Sequence, residues 1–383
     1  MRCYYSGVEG RQHFEAVVRA GGKHVLLSYL YIQKSDPDIV KKRKNANPSI
    51  GFMVDSGAHS FQSDKEKYSK WSVSDWENYI TAYTRWLLAN RAYIDCGVEM
   101  DIDWVVGTNL VESWQKRFFI PLLEKGVPII FVWHKQRGLE GWEAMCEKLP
   151  YVGLPGEFSS EPDFNKYVVT ARKYTVRIHG FAATKQQDFR DHEWYSSDST
   201  TWKSAERYGT LIHWDERNQR LIYDEDKSRR GLYRKHFEEA GLNADAIIQD
   251  TNYREVTTYA LYSMRRMEDF YANRYSNRLR YYEMRLPHPK AVNQLPTREC
   301  LRLWSLLCRD KLFSNHAHSS FADTRSYLTY LASVQYGRKD LIEADPKAIR
   351  FLSSYFPNMI SNGLVTDPSL FARELTAYLA PSA

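Results

Sequence analysis

The sequence predicts an α/β protein, a (β/α)8 barrel of the TIM type with a basic helical extension and a C-terminal all-α region. Short apolar runs alternate with amphipathic helical patterns through most of the chain, which is typical of parallel strands joined by helices. The repeated units span roughly 250 residues, the usual size of such a barrel, within a chain of 383. We assign residues 1–286 to the barrel, 287–297 to a proline-bearing linker and 298–383 to the helical region.

Seven apolar runs predict barrel strands, because parallel strands that are buried on both faces are apolar throughout. They cover residues 23–32, 49–57, 93–103, 127–134, 151–157, 174–180 and 193–198. The candidate for the closing eighth strand is 244–250, with the sequence ADAIIQD. Residues 208–224 predict a β-hairpin inserted near the end of the barrel.

Helical periodicity fills the gaps between these strands. After the second strand, Ser74 and Glu77 predict a capping box at the start of an amphipathic helix. The apolar stripe of that helix consists of Trp76, Tyr79, Ile80, Tyr83 and Leu87. Beyond the linker the pattern is wholly helical, and this predicts the C-terminal all-α region.

Composition limits the classes of protein to consider. The net charge is +6, and 43% of the residues are hydrophobic, so the chain is moderately basic and can bury a sizeable core. No apolar run approaches the ~20 residues that a membrane span requires, and the first residues lack the apolar core of a signal peptide. Five cysteines without tight spacing favour a reducing compartment. We expect the cytoplasm, or the host cytoplasm if the protein is phage-encoded.

Acids and imidazoles stand at the ends of the predicted strands, on the side that forms the active site of a barrel. They are Asp55, Asp101, Asp103, His134, Glu157, His179 and Asp198. Each of the acids alone is compatible with a cap on a turn or helix. Together these residues predict a mouth lined with carboxylates and imidazoles.

Two chemistries fit such a mouth. A pair of carboxylates can cleave a glycosidic bond as nucleophile and general acid/base, and a group of carboxylates can hold Mg²⁺ for phosphoryl transfer. The small residues Ser56, Gly57, Gly153 and Gly156 favour the first, because they let the backbone approach a flat ligand. The sequence has neither a Walker-type phosphate loop nor a dinucleotide-binding fingerprint.

Five motifs in order resemble the tRNA-guanine transglycosylase superfamily, whose (β/α)8 barrel exchanges guanine in a nucleic acid for a 7-deazaguanine. They are DSGAHSF at 55–61, EMDID at 99–103, VGLPGE at 152–157, RIHG at 177–180 and YSSDSTTW at 195–202. Their order and approximate spacing agree with the family across residues 50–202. The DSGA and DSTTW forms are closer to the DpdA-type members of phages and bacteria, which act on DNA.

The resemblance implies a role for each residue. Asp198 would attack C1′ of the nucleotide and form a covalent sugar intermediate, while Asp55 would protonate the departing guanine and later take a proton from the incoming base. Asp101 would bind N1–H and the exocyclic amine of the base, with Asp103 as the competing assignment. His179 stands where the family has a methionine that stacks on the base. The other implied base-contacting residues are Ser56, Gly57, His134, Gly153, Leu154, Gly156, Glu157 and Gly180.

No cofactor is implied, because exchanging one glycosidic bond for another needs neither ATP nor redox chemistry. The tRNA-acting members carry a Cys-x-Cys-x-x-Cys…His zinc site after the barrel, and this sequence has no such run. Cys300, Cys308, His316 and His318 are the alternative zinc ligands, but their spacing is not standard, so we predict no metal. The missing run favours DNA over tRNA, and tRNA is kept as the alternative substrate.

Two basic segments, 227–236 and 263–285, predict contacts with nucleic-acid phosphates. The expected contact residues are Arg229, Arg230, Arg234, Lys235, Arg265, Arg266, Arg274, Arg278 and Arg280. The alternative interpretation is a solvated helix face. Two other functions also fit the sequence, a glycoside hydrolase on the same barrel and a nucleic-acid-binding barrel without catalysis.

Overall fold

The computed structural model describes residues 2–174, 176–183, 194–275 and 286–307, together with 325, 328–329, 331–333 and 336. Eight parallel strands form a closed barrel in which each strand pairs with its neighbours in chain order. The strands are β1 Arg2–Ser6, β2 His24–Ser28, β3 Gly51–Asp55, β4 Cys96–Val98, β5 Ile129–Val132, β6 Tyr151–Pro155, β7 Arg177–Phe181 and β8 Ser196–Ser199. The predicted (β/α)8 fold is confirmed.

Strand β1 closes the barrel, and it is the strand that sequence patterning misses. It pairs in parallel with β8 on one side and β2 on the other. The predicted closing strand, 244–250, is instead a helix at Ala244–Ile248. Asn243 caps this helix by accepting a hydrogen bond from the backbone N–H of Ala246 at 3.1 Å. A short apolar run cannot by itself distinguish a strand from a buried helical turn.

Helices alternate with the strands around the barrel. They are α1 Arg11–Arg19, α2 Tyr29–Ser35, α3 Ile39–Ala46, α4 Ala58–Ser63, α5 Lys65–Tyr68, α6 Val73–Ala89, α7 Asp103–Val106, α8 Thr108–Trp114, α9 Ile120–Glu124, α10 Gly138–Lys148, α11 Phe164–Lys173, α12 Lys203–Tyr208, α13 Arg234–Glu239, α14 Ala244–Ile248, α15 Arg254–Tyr275, α16 Pro289–Val292 and α17 Thr297–Leu307. A π-helical turn at Gln115–Phe119 joins α8 to α9.

Helix α6 begins earlier than its predicted capping box. Its cap is Ser72, whose hydroxyl accepts a hydrogen bond from the backbone N–H of Asp75 at 3.2 Å, while the Asp75 carboxylate accepts one from the N–H of Ser72 at 2.8 Å. Ser74 and Glu77 therefore lie inside the helix. The predicted apolar stripe is buried, as expected.

The strands separate two apolar layers, because successive side chains point to opposite faces of the sheet. The barrel interior is filled by Tyr4, Leu26, Met53, Cys96, Val98, Ile130, Val132 and Tyr151. The larger layer lies between barrel and helices, and it includes Tyr5, the immediate neighbour of Tyr4. A filled interior leaves the carboxyl ends of the strands as the floor of the mouth.

Helix α15 occupies the place of the eighth barrel helix. It packs against α1, α12 and β1. Near its end, Glu268 accepts a hydrogen bond from the backbone N–H of Cys3 at 3.0 Å, at the amino end of β1. The chain reaches α15 through the predicted hairpin, formed by β9 Leu211–Asp215 and β10 Arg220–Asp224, whose first strand packs on α15. The described part of the basic helix is thus part of the barrel wall.

The described residues beyond 286 are largely helical, in α16, α17 and the residues 325, 328–329 and 331–333. The rest of the predicted all-α region lies outside the described residues. Within the described part of the chain, no helix is both long and apolar enough to cross a membrane.

Candidate active site

The two predicted catalytic aspartates lie at one mouth of the barrel. Asp55 ends β3, where it pairs with Ser28 of β2, and Asp198 lies in β8, where it pairs with Tyr4 of β1. The charge of Asp198 contributes to raising the pKa of Asp55. The two carboxylates therefore face a shared space across β1 and β2.

Asp198 is held by groups from the two strands that flank it. Its Oδ1 accepts a hydrogen bond from the backbone N–H of Ala182 at 2.9 Å and lies 3.3 Å from Nε2 of His179. Its Oδ2 accepts a hydrogen bond from the hydroxyl of Ser6 at 3.3 Å. Ala182 has a φ of 52°, a left-handed conformation that is strained for alanine. Backbone strain of this kind clusters at functional sites.

Asp55 has different surroundings. Burial raises its pKa to about 7, and the neighbouring carboxylates Glu9 and Asp198 act in the same direction. Hydrogen bonds from the N–H of Gly57 and the hydroxyl of Ser28 oppose that rise. Gly57 has a φ of 88°, which favours glycine and aims its N–H at Asp55. At neutral pH, Asp55 is therefore able both to give and to accept a proton.

A cavity of about 510 Å³ opens at the mouth, which is in the range of small-molecule sites. Its polar wall includes His59, Gln62, Asp101, His134 and Glu157. Trp104 and Phe181 add aromatic surface. Ala182 also lines the cavity, and because its N–H binds Asp198, the cavity adjoins the predicted nucleophile.

Asp101, Asp103 and His134 form a charged cluster in this wall. Nε2 of His134 lies 2.9 Å from Oδ1 of Asp101 and 3.3 Å from Oδ1 of Asp103. Burial alone would lower the pKa of His134, but its hydrogen bonds to the two aspartates and their charges outweigh this and raise it to about 10. Arg137 adds a second cation, 3.8 Å from Asp103. His134 is therefore an imidazolium at neutral pH.

Exposure distinguishes the two aspartates of the cluster. The side chain of Asp101 is 25% exposed and lines the cavity. That of Asp103 is 2% exposed and faces His134 and Arg137. A ligand in the cavity would reach Asp101 but not Asp103.

The same cluster is the one group of described residues with metal-like spacing, since ligand atoms of Asp101, Asp103 and His134 all lie within 4.8 Å of one another. Cationic side chains already face these carboxylates, however, since Nε2 of His134 lies within 3.3 Å of both aspartates and Arg137 lies 3.8 Å from Asp103. The cluster fits an ion-pair network better than a metal site.

Of the four alternative zinc ligands, the structure describes Cys300 alone. Cys300 is buried in α17. Cys308, His316 and His318 lie outside the described residues.

Packing within the protein explains the predicted glycines of β6 and β7. A Cβ on Gly153 would lie 2.3 Å from the ring of Phe181, and one on Gly180 would lie 2.6 Å from the side chain of Ala183. A Cβ on Gly156 would lie 2.6 Å from the backbone N of Ala183. Of these three glycines, Gly156 lines the cavity.

Two further predicted base contacts are buried in the protein. Ser56 donates a hydrogen bond to the backbone carbonyl of Glu99 at 2.9 Å. Leu154 belongs to the core between barrel and helices. Their side chains therefore serve the fold, whereas Glu157 is exposed on the cavity wall.

His179 lies beneath the predicted nucleophile. It is 0% exposed, with Nδ1 2.7 Å from Oγ of Ser196 and Nε2 3.3 Å from Asp198. A ring without exposed surface cannot stack on a base in the cavity, so the structure argues against the stacking role. Phe181, two residues further along β7, is the ring that lines the cavity.

Glu99 is a buried acid that sequence reasoning did not single out. Burial raises its pKa to about 8. One carboxyl oxygen accepts hydrogen bonds from the backbone N–H of Val132 and from the side chain of Gln115 at 2.9 Å. Glu99 is therefore mostly uncharged at neutral pH.

The predicted phosphate contacts on α15 are far from the mouth. Arg265 lies against Gly21, in the turn that precedes β2, and pairs with Asp269 at 2.6 Å. Arg266 pairs with Glu216 in the hairpin turn. The two ends of a five-residue strand are about 13 Å apart, and this strand length separates the amino end of the barrel from its mouth. The side chain of Arg274 is not among the described parts, and Arg278 and Arg280 lie outside the described residues.

Of the four phosphate contacts predicted in the other basic segment, Arg230 is buried and the other three are exposed. Arg230 is 2% exposed and donates hydrogen bonds to the carbonyl oxygens of Gly209 and Asp250, each at 2.9 Å. It is therefore a structural residue rather than a phosphate contact. The remaining cations face acids, with Arg229 3.5 Å from Asp224, Arg234 2.5 Å from Asp245 and Lys235 3.8 Å from Glu239.

Several residues at the mouth are absent from the sequence-based prediction, among them Ser6, Ser28, Ala182 and Trp104. Ser6 and Ser28 end strands just as the acids do, and this position is a signal that could have identified them. Ala182 acts through its backbone N–H, which side-chain patterns do not reveal. Trp104 directly follows the EMDID motif, and only the structure shows that it is exposed.

No family model matches the sequence, and no curated protein matches it. The chemistry of the mouth and the five motifs therefore carry the functional assignment.

Proposed function

We propose that the protein is a base-exchange transglycosylase, which replaces guanine in DNA with a 7-deazaguanine through a covalent aspartate–sugar intermediate. The observation that supports this most directly is the pair of aspartates at one mouth with different surroundings. Asp198 is a carboxylate held by the N–H of Ala182 and the hydroxyl of Ser6. Asp55 has a pKa of about 7. A double displacement at a sugar carbon needs one ionised nucleophile and one proton donor.

The first half of the reaction forms the intermediate. An oxygen of Asp198 bonds to C1′ as the C1′–N9 bond breaks, and the electron pair of that bond goes to guanine. Asp55 gives its proton to the departing base. Removal of guanine thus leaves Asp55 ionised, so that it can accept a proton in the second half of the reaction.

The second half transfers the sugar to the new base. The incoming base gives its N9 proton to Asp55, and N9 attacks C1′ as the ester bond to Asp198 breaks. A 7-deazaguanine cannot be protonated at position 7 as guanine is at N7, so it leaves less readily. This difference drives exchange in one direction without ATP.

The cavity wall has groups that suit a guanine-like edge. The carboxylate of Asp101 can accept hydrogen bonds from N1–H and the exocyclic amine. Nε2 of His134 lies 2.9 Å from Asp101, so His134 can orient this carboxylate, and His134 also lines the cavity. Phe181 offers an apolar face to the ring.

Trp104 supports a nucleic acid as the substrate. Its side chain is 72% exposed at the cavity, which is an unusual position for so large an apolar group. An exposed indole suits stacking on an unpaired base. A base in a duplex must leave the stack before Asp198 can reach C1′. The preference for DNA over tRNA depends on the resemblance to the DpdA-type enzymes.

Exchange of isotopically labelled guanine tests the proposal, because guanine replaces itself and the natural deaza base need not be known. Single-stranded DNA, duplex DNA and tRNA are incubated with the full-length protein, and label in their nucleosides is measured by mass spectrometry. Asp198→Asn and Asp55→Asn should not incorporate label. Asp38→Asn, which alters an exposed aspartate at the start of α3, is the matched control.

Three results are informative. Label in DNA but not tRNA, with a DNA–protein adduct on denaturing gels that is lost in Asp198→Asn, is the expected outcome. Label in tRNA alone would mean that tRNA rather than DNA is the substrate, and the proposed base exchange would be retained. Label in neither, with guanine or with any 7-deazaguanine supplied, would overturn the transglycosylase proposal.

A further inference from the structure

A chain of polar side chains runs beneath Asp198 through the barrel interior. The hydroxyl of Tyr151 on β6 contacts Oγ of Ser196 on β8, and Oγ lies 2.7 Å from Nδ1 of His179 on β7. Nε2 of His179 lies 3.3 Å from Oδ1 of Asp198. Tyr151, Ser196 and His179 are all buried. Nothing in the sequence motifs points to this connection.

The chemistry of the four groups sets the direction of the chain. Burial raises the pKa of Tyr151 well above its usual value, so its hydroxyl keeps its proton. Ser196 is the hydrogen-bond partner of that hydroxyl among the described residues, so the proton of Tyr151 points to Ser196. The hydrogen of Ser196 is then directed at Nδ1 of His179 in the tautomer that carries its proton on Nε2, the side of the ring that faces Asp198.

Nε2 of His179 is a buried nitrogen without a well-formed hydrogen bond. The acceptor within reach is Oδ1 of Asp198, at the long distance of 3.3 Å. Catalytic hydrogen bonds are often long in free enzymes and shorten in the complex with substrate. A buried nitrogen that lies 3.3 Å from a nucleophile without a formed hydrogen bond points to a role during the reaction.

The two oxygens of Asp198 are held unequally. Oδ1 has two N–H groups near it, the backbone N–H of Ala182 at 2.9 Å and Nε2 of His179. Oδ2 has one weaker contact, from the hydroxyl of Ser6 at 3.3 Å. Oδ2 is therefore the less firmly held oxygen of the two.

We infer that Tyr151, Ser196 and His179 form a positioning relay that directs Nε2–H of His179 to Oδ1 of Asp198 and leaves Oδ2 to attack C1′. This inference rests on the proposed function, because it concerns the nucleophile of that reaction. Oδ2 bonds to C1′ as the C1′–N9 electron pair leaves with the base, which takes the proton of Asp55. Oδ1 becomes the carbonyl oxygen of the ester. Its two N–H contacts stabilise the carboxylate that reforms when the ester opens.

Four variants in the full-length protein test the relay, with formation of the DNA–protein adduct in a single turnover as the kinetic measurement. His179→Leu removes the Nε2–H and should slow adduct formation about 100-fold, the usual effect of a misplaced reacting group. His179→Gln can present an amide N–H to Asp198 and should recover most of the rate. Ser196→Ala and Tyr151→Phe should slow it about 5-fold to 10-fold, as expected for loss of a single hydrogen bond. The dissociation constant for DNA should stay the same throughout.

Tyr5→Phe is the matched control for Tyr151→Phe. It also removes a buried hydroxyl from a barrel strand, but that hydroxyl has no hydrogen-bond partner among the described residues. Its rate should equal that of the unaltered protein. Circular dichroism of each variant shows whether a lower rate results from unfolding or from a misplaced Asp198 carboxylate.

A second measurement does not depend on activity. Nitrogen NMR of histidine-labelled protein, with His179→Gln identifying the signal, should show a proton on Nε2 of His179. Ser196→Ala should shift His179 toward the tautomer with its proton on Nδ1. An Nε2 without a proton in the unaltered protein would overturn the relay whether or not the protein exchanges bases.

The structure of the trapped adduct gives the last test. The ester oxygen should lie beside Ser6 and the carbonyl oxygen beside Ala182, and the reverse arrangement would contradict the assignment of Oδ2. Equal adduct rates in His179→Leu and the unaltered protein would also contradict the relay. Absence of any adduct in the unaltered protein would instead count against the proposed function, and the NMR result would then decide the relay alone.

Discussion

At the scale of single residues, the carboxyl groups near the mouth differ in pKa because their surroundings differ. Asp55 and Glu99 lose hydration through burial, and this raises their pKa values to about 7 and about 8. Asp103 is buried too, but its hydrogen bond to His134 and the nearby charges hold its pKa below the usual value. The contrast follows from the partners that each strand end provides.

The pH dependence of adduct formation should report the ionisation of Asp55. Its carboxyl must be protonated for guanine to leave, and its pKa is about 7. Adduct formation should therefore be constant at lower pH and fall about tenfold per unit above about pH 7.5. Reaction of the adduct with an incoming base needs the ionised form, so it should rise with pH up to the same pKa. A single-turnover profile that stays flat through about pH 8.5 would remove Asp55 from the acid role.

Glu99→Gln should flatten the pH dependence of stability. The folded protein raises the pKa of Glu99 from 4.5 to about 8, so the stability that its protonated form contributes is lost progressively as pH rises from 4.5 to about 8. Glutamine keeps an acceptor for the N–H of Val132 but cannot ionise. In thermal unfolding, the unaltered protein should lose stability relative to the variant as pH rises from 4.5 to about 8, by a total on the order of a few kcal/mol, and the difference should stay constant at higher pH. Glu66→Gln, at an exposed glutamate, should leave the profile unchanged.

Asp101→Asn should weaken binding of the base more than Asp103→Asn does. Asp101 lines the cavity, whereas Asp103 lies behind it against His134 and Arg137. Loss of a charged acceptor should cost about 1.5–3 kcal/mol in base affinity, measured by calorimetry. Asp103→Asn should instead lower the melting temperature, because it leaves Arg137 without its buried partner. If the affinity loss occurs in Asp103→Asn alone, the two roles must be exchanged.

At the scale of elements, short helices after the strands carry the surface of the mouth. Helix α7 has a single turn, and it buries Asp103 while leaving the next residue, Trp104, exposed. Helix α15 instead stabilises the barrel, because it packs on β1 and its Glu268 accepts a hydrogen bond from the backbone N–H of Cys3 at the amino end of that strand. The elements that hold the barrel together are thus distinct from those that form the cavity rim.

Trp104→Ala should weaken binding of single-stranded DNA while leaving the fold intact. Stacking of one base on an aromatic side chain contributes about 1–3 kcal/mol, and an exposed indole loses little packing on truncation. Trp104→Phe should retain about half of that binding energy, since it keeps a smaller ring. The measurement is a fluorescence anisotropy titration, and Tyr223→Ala, an exposed aromatic on β10, is the control. Unchanged affinity in Trp104→Ala would exclude stacking at this position.

At the scale of the whole molecule, the barrel has two ends with different roles. The mouth holds the acids and the cavity, while the amino end carries Arg265 and the contact between Glu268 and β1. Among the described residues, Arg265 therefore lies away from the acids of the mouth. Lys135 follows His134 at the cavity and is 70% exposed, although it pairs with Glu161 at 2.6 Å, and under the proposed function it is the cation that we expect to meet a phosphate.

Charge reversal at the two ends should separate these roles. Lys135→Glu at the mouth should weaken DNA binding and reduce its salt dependence by about one phosphate contact. Arg266→Glu, near the amino end, should leave affinity and salt dependence unchanged, apart from loss of its exposed pair with Glu216. Titrations at several salt concentrations measure both. A larger effect of Arg266→Glu would restore α15 as the nucleic-acid surface.

The sequence by itself determined the barrel, the hairpin and the strand-end positions of Asp55, Asp101 and Asp198. These follow from local rules, because buried parallel strands are apolar and their carboxyl ends converge on one mouth. The sequence could not show that β1 closes the barrel or that 244–250 is helical. Short segments take the structure that their neighbours in space allow.

Only the tertiary structure decided what each side chain at the mouth faces. His179 lies near the end of its strand as expected, but its ring is buried and faces Asp198 rather than the cavity. Asp103 is buried behind the cavity wall, whereas Asp101 lines the cavity. The N–H of Ala182 and the exposure of Trp104 leave no pattern in the sequence. Such features depend on long-range packing and on the loss of water around particular atoms, and these are properties of the closed barrel rather than of any segment of the chain.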